Sequence, residues 1–143
     1  MRIHSSLSES VNRLTHGAMA IGNFDGVHLG HQALFEAARR RPPVCALTFE
    51  PHPARLLAPQ YAPPLICEKP RKHELLAASG VEDLIEQTFD REFASLEPSR
   101  FVDLLLATGI SEVVVNVVWG PPWTAARMTQ DGRHALEMWG LAV

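Results

Sequence analysis

His28 and His31 stand three residues apart among Gly22, Gly26 and Gly30. The run Gly22-Asn23-Phe24-Asp25-Gly26-Val27-His28-Leu29-Gly30-His31 holds most of the chemistry the sequence offers. Two imidazoles one turn apart can face a single point beside a helix N-terminus, where unpaired N–H groups attract anions. Imidazole N–H groups placed there donate hydrogen bonds to phosphoryl oxygens and stabilise the charge that builds as pyrophosphate departs. Glycines at 22, 26 and 30 let the backbone come close to a phosphate that a side chain would crowd. Asp25 reads in two ways, as part of this anion site and as a turn or helix cap that accepts N–H bonds. His52, between Pro51 and Pro53, also reads in two ways, as a ligand-facing group and as a rigid loop residue. A transition-metal site of His28, His31 and His52 is a further reading, opposed by the glycine spacing and by the lack of a carboxylate or thiolate as fourth ligand.

These residues need a frame that holds them still. The apolar run 18–21 ends in the turn-prone residues 22–26 and reads as a buried strand leading into a loop. Leu34, Phe35 and Ala38 at helical spacing predict a helix over 29–40, with Arg39, Arg40 and Arg41 at its C-terminal end. Residues 44–49, bounded by Pro42, Pro43 and Pro51, predict a second buried strand, and a strand–helix–strand crossover implies parallel pairing. Pro51, Pro53, Pro59, Pro63 and Pro64 make 50–64 an irregular surface loop, and so long a loop in a small domain is often functional. Further on, the pattern predicts a helix over 71–79 stopped by Gly80, a weaker strand over 84–89, a helix over 99–108 between Pro98 and Gly109, and a β-branched strand over 113–118 suited to a sheet interior. Residues 1–15 read as polar and irregular. The expected fold is therefore an α/β domain with a doubly wound, mostly parallel sheet and helices on both faces. Its ligands should lie beyond the carboxyl ends of the strands, where the loops after residues 21, 49 and 118 share one rim.

The bulk properties narrow the classes of function. A chain of 143 residues suits one domain spanning 1–143, and 46% hydrophobic with 20% charged residues is enough to build a soluble core. A formal net charge of -3 argues against nucleic acid as a partner and leaves room for a small phosphorylated ligand. Cys45 and Cys67 form no Cys-x-x-Cys pair, and no stretch reaches the roughly 18 apolar residues a membrane span needs, so a cytoplasmic protein without a membrane partner is expected. The basic group Lys69, Arg71, Lys72 and His73 reads as a solvated helix face. Trp119, Trp123, Trp139 and Cys45 read as core.

The pattern Gly22-x-Phe24-Asp25-x-x-His28-x-Gly30-His31 resembles the signature of the nucleotidyltransferase superfamily. With 47–53 (Leu-Thr-Phe-Glu-Pro-His-Pro) added, the match over about 18–115 resembles the adenylyltransferase module of bacterial bifunctional riboflavin kinase/FAD synthetases. The resemblance implies transfer of the adenylyl group of ATP, bound with Mg²⁺, to FMN, giving FAD and pyrophosphate without a covalent enzyme intermediate. It implies His28 and His31 as catalytic residues, with Gly22, Asn23, Phe24, Asp25, Gly26 and Gly30 around the ATP phosphates. Pro51, His52, Pro53 and Asn116 would border the flavin. Mg²⁺ would ride largely on phosphate oxygens, with no dedicated metal ligands on the protein. Where family members carry Gly-x-Asp/Asn-Phe-x-Phe-Gly, this chain has Asn116, Val118 and Trp119. A shortened member is expected, with the later Ser/Thr-rich segment ending in Arg and the riboflavin kinase module absent. The rival expectation is a relative that binds nucleotide or flavin without turning it over.

Overall fold

The computed structural model describes residues 1–14 and 16–115. Five strands, β1 (Arg2–His4), β2 (Ala18–Ile21), β3 (Val44–Glu50), β4 (Asp83–Thr88) and β5 (Glu112–Val115), form one sheet in the order β1-β4-β3-β2-β5. Every pairing in it is parallel. Helices α1 (Leu29–Ala38), α3 (Lys69–Ala78) and α5 (Pro98–Ala107) supply the long crossovers. Two short helices, α2 (Pro53–Leu57) and α4 (Arg91–Ala94), follow the C-terminal ends of β3 and β4.

The period of two along each strand divides the core. Ala18, Ala20, Val44, Ala46 and Leu84 point to one face, against Leu34, Phe35 and Ala38 of α1 and Leu76 of α3. Met19, Cys45, Leu47, Ile85 and Val113 point to the other, against Leu105 of α5 and Leu7 and Leu14 of the N-terminal segment. Both faces are covered, which is why the strands are nearly continuous apolar runs. The doubly wound sheet expected from the alternation of elements is present.

Three local expectations change. The stretch 50–64 is not wholly irregular: Pro53 starts α2, and a 3₁₀ turn follows over Pro59–Tyr61, because proline is well suited to a first helical turn. The strand expected in a sheet interior, β5, takes the end of the order among the described residues, with Val113 buried and Val115 39% exposed. Its continuation over 116–118 lies outside the described residues.

The third correction concerns the N-terminus, where β1 replaces an irregular segment. Its residues are mostly exposed, so burial does not account for the strand. Asp83, buried at the start of β4, accepts two hydrogen bonds from the Arg2 guanidinium at 2.8 and 2.7 Å and lies 2.8 Å from His4 Nε2. Burial alone would raise the Asp83 carboxyl, but the Arg2 and His4 hydrogen bonds outweigh it and hold it below its ordinary value. A carboxyl lowered in the folded state adds stability above its unfolded pKa and loses it as pH falls through the folded value. Asp83→Asn should therefore lower unfolding stability by about 2 kcal/mol at neutral pH. In urea titrations the gap from the parent chain should persist at pH 5 and close below about pH 4. A gap unchanged in strong acid would mean that the carboxylate is not its source.

Candidate functional site

The chain runs from β2 outward through β3 to β4, then returns across β2 to β5. The strand order thus switches direction at β2, with β3 on one side of it and β5 on the other, and in open parallel sheets such a switch point opens a crevice beyond the strand ends. Ile21, the last residue of β2, is in register with Val115 of β5. The histidine-glycine run begins at the next residue and occupies that crevice.

The loop after β2 is tied on both sides. Gly22 N–H donates to Leu47 O at 3.1 Å, and Thr48 Oγ1 donates to Asn23 O at 3.1 Å. Phe24 turns into the left-handed region (φ 52°), and its ring is fully buried. It packs on Phe35 at 5.0 Å and edge-on to His31 at 5.2 Å. The ring expected at the ATP phosphates is thus the floor beneath His31. Val27 also has positive φ (41°), a costly conformation for a β-branched residue and one that concentrates at functional sites.

Asp25 spends its carboxylate on the chain itself. It accepts Ile66 N–H at 2.8 Å and Cys67 N–H at 3.0 Å, with Cys67 Sγ at 3.6 Å. Burial pulls its pKa upward, and the donors from Ile66 and Cys67, with Lys72 nearby, more than reverse that. Of its two readings, the capping one has the geometry behind it. Gly26 follows from the same clasp. Its φ is +71°, and a Cβ there would lie 2.9 Å from Ile66 Cγ2, so the backbone turn and the Ile66 side chain are enough to require a glycine. Gly30 sits in the first turn of α1.

His28 is the N-cap residue of α1, makes no side-chain capping bond and is exposed. His31 stacks on it, with centroids 3.7 Å apart and planes 20° from parallel. Burial, then the neighbouring His28, pushes the His31 pKa down to about 4 against a smaller opposing pull from Asp25. It is neutral at pH 7. Its Nδ1 is buried without a hydrogen-bond partner. An orphaned N–H is rarer than an orphaned lone pair, so the hydrogen belongs on Nε2, available as a donor. Stacked rings do not converge as metal ligands, and no three His, Cys, Asp or Glu groups cluster for a metal among the described residues.

His52 joins the two loops. Ala54 N–H donates to its Nδ1 at 3.1 Å, capping α2, and the Asn23 carboxamide lies 2.9 Å from its Nε2. Asn23 Nδ2 is the atom that faces Nε2; with Nδ1 accepting from Ala54, a hydrogen on Nε2 would require the Asn23 amide to turn and present its oxygen. Beyond Pro51 and Pro53 the same loop exposes Leu57, Tyr61, Leu65 and Ile66. The basic group of α3, expected to be a solvated face, is solvated only at Lys69 and Arg71. Lys72 is buried, Glu86 is bound by Lys69 at 2.6 Å and His73 at 2.7 Å, and only the Arg71–Glu74 pair is exposed on both sides. Glu86 and Thr48, polar residues inside apolar strands, were the sequence signals for these contacts. Ile66 and Cys67 left none, because they act through backbone N–H groups. Asn116, Trp119, Trp123 and Trp139 lie outside the described residues.

Comparison with known proteins finds relatives over much of the chain. The bifunctional riboflavin kinase/FMN adenylyltransferase of Escherichia coli (strain K12) is 41% identical over 93 residues, covering 62% of this chain and 30% of that protein. An FAD synthetase of Listeria monocytogenes is 34% identical over 104 residues, covering 68% of this chain and 42% of that one. The chain thus spans less than half the length of either relative. Among solved structures, a Streptococcus pneumoniae protein described as a macrolide-efflux protein superposes with a TM-score of 0.70 at 25% identity, over 91% of this chain and 46% of that one. Pantothenate synthetase of Thermus thermophilus, at 19% identity and a TM-score of 0.60 over 100% of this chain and 60% of its own, shares the fold. The model of the family described as FAD synthetase matches residues 11–137, most of the chain, and the chain belongs to that family.

Proposed function

We propose that the chain is an FMN adenylyltransferase, joining the adenylyl group of ATP to the phosphate of FMN and releasing pyrophosphate. The observation that carries this reading is the stacked His28–His31 pair at the start of α1, at the switch point of a parallel sheet. An FMN phosphate oxygen attacks the α-phosphorus of ATP, the bond from that phosphorus to the bridging oxygen breaks, and the electron pair leaves with pyrophosphate. Charge collects on the phosphoryl oxygens, where a neutral His31 Nε2–H, the His28 ring and the helix N-terminus can meet it. A neutral donor suits this position, because it stabilises developing charge without binding the ground-state anion as tightly.

Mg²⁺ enters as part of the ATP substrate, held mainly by phosphate oxygens. Gly22, Asn23, Gly26 and Gly30 would border the phosphates with their backbone, while Phe24 and Asp25 shape the loop from behind. On the acceptor side, the turn over Pro51, His52 and Pro53 would border the flavin, and the exposed Leu57, Tyr61 and Ile66 offer apolar surface suited to a flat isoalloxazine ring. Asn116 would add a polar contact. A cytoplasmic setting supplies ATP and FMN, and among the described residues no helix is long and apolar enough to cross a membrane.

Two measurements test this reading. With FMN, ATP and Mg²⁺, chromatography should detect FAD above the enzyme-free control, and His31→Ala should cut the rate about a hundredfold or more while calorimetric FMN affinity stays within a few-fold. Absence of FAD from the parent chain sinks the assignment, and equal loss of FMN binding sinks the role of His31. Separately, an NMR titration of the imidazole carbons should put the His31 midpoint at about 4. Saturation with inorganic pyrophosphate should move it upward, since a nearby anion favours the charged ring. A midpoint unmoved by bound pyrophosphate places His31 away from the phosphates.

A further inference from the structure

Lys72 belongs to the first turn of α3, which packs on the 25–27 turn of the glycine loop. Its side chain is only 10% exposed, and its ammonium lies 3.8 Å from Glu50 Oε2, too far for a hydrogen bond. The neighbouring Glu86 is closed off by Lys69 and His73 at 2.6 and 2.7 Å. The charge of Lys72 is therefore left to Glu50 and to Asp25, whose carboxyl it helps to hold low. Glu50 ends β3 directly before the Pro51–His52 turn, and Asp25 sits in the loop that carries His28 and His31.

Burying an ammonium is costly, and an apolar side chain would fill the same space without that cost. A hydrogen-bonded ion pair fixes one geometry, whereas Coulomb attraction at a longer separation falls off only slowly with distance. A cation that faces Glu50 at this range and acts on Asp25 through its charge draws both loops toward itself without locking either. We propose that Lys72 is a positioning residue for the transfer reaction, a counter-charge shared by Asp25 and Glu50 that sets the spacing between the phosphate loop and the His52 turn. This inference rests on the adenylyltransferase reading for its kinetic consequence only, because the spacing of the loops is visible without substrate.

The test uses the full chain with Lys72→Met, Lys72→Arg, Glu50→Gln and the double variant Lys72→Met/Glu50→Gln. Without ligand, Lys72→Met should shift the NMR signals of the Ile66 and Cys67 amides and of the His31 and His52 rings together, and Glu50→Gln should move the His52 signal. In FAD formation, Lys72→Met should lower kcat about tenfold to a hundredfold with KM for ATP and FMN within about threefold, as expected when reacting groups are misplaced. Lys72→Arg, keeping the charge, should recover most of that loss. The double variant should be no slower than Lys72→Met within about twofold, since both changes break one coupling. Unmoved loop signals in the ligand-free Lys72→Met chain overturn the proposal, whether or not the parent chain makes FAD. A loss confined to KM for ATP and to inorganic pyrophosphate affinity also overturns it, in favour of a direct phosphate contact. If Lys72→Met does not fold, Lys72→Arg and Glu50→Gln decide alone: a kcat loss in Glu50→Gln with activity kept in Lys72→Arg supports the role, and an unaffected Glu50→Gln overturns it.

Discussion

Two backbone N–H groups, from Ile66 and Cys67, converge on the Asp25 carboxylate, and the geometry of the site follows from that convergence. Hydrogen bonds to a charged acceptor contribute roughly 1.5–3 kcal/mol each. Ordering a residue's backbone costs roughly 1–2 kcal/mol. The clasp therefore gains little more than it spends on fixing residues 66 and 67, and the packing of Ile66 over Gly26 helps to tip the balance. Once the segment is held, α3 must start beside the glycine loop, which brings Lys72 toward Asp25 and sets Lys69 and His73 against Glu86.

The same dependence orders the histidines. Phe24 can lie under His31 only because its backbone turns left-handed, and the turn is sustained by contacts on either side: Gly22 to Leu47, Thr48 to Asn23, and Asp25 to the 66–67 segment. A ring supported from below and stacked from the side has little freedom to rotate. The site is preorganised by packing beneath it, with few polar partners for the imidazoles themselves, and this is also what keeps His31 neutral.

Much of this was legible in the amino-acid sequence where the controlling forces are local. The apolar runs of β2 and β3, the helical spacing of Leu34, Phe35 and Ala38, and the stops at Gly80 and Gly109 each carry their own signal, and the glycine-histidine run singled out the candidate site. What was not legible depends on partners far along the chain. β1 exists because Asp83 awaits it some eighty residues later, and the α3 cations looked solvated because Glu50 and Glu86 reach them only through the sheet. Gly26 was legible as a glycine, but the part played by Ile66 was not, because that side chain fills the space of a Cβ from forty residues away. The rigid-loop reading of His52 has geometry behind it, since its ring caps α2 and meets Asn23.

The pairing of β1 has a consequence for the order in which the molecule can assemble. Among the described residues β1 touches the sheet only through β4, so residues 2–4 leave the ribosome well ahead of the residues they pair with, 83–85. Closing so large a loop is slow relative to the local crossovers that join β2, β3 and β4. A strand synthesised before the rest of the sheet is therefore among the last of it to dock. Until then the β4 edge stands open, with a buried-to-be carboxylate in place of an apolar side chain at Asp83, a charge that discourages any other strand from settling there first.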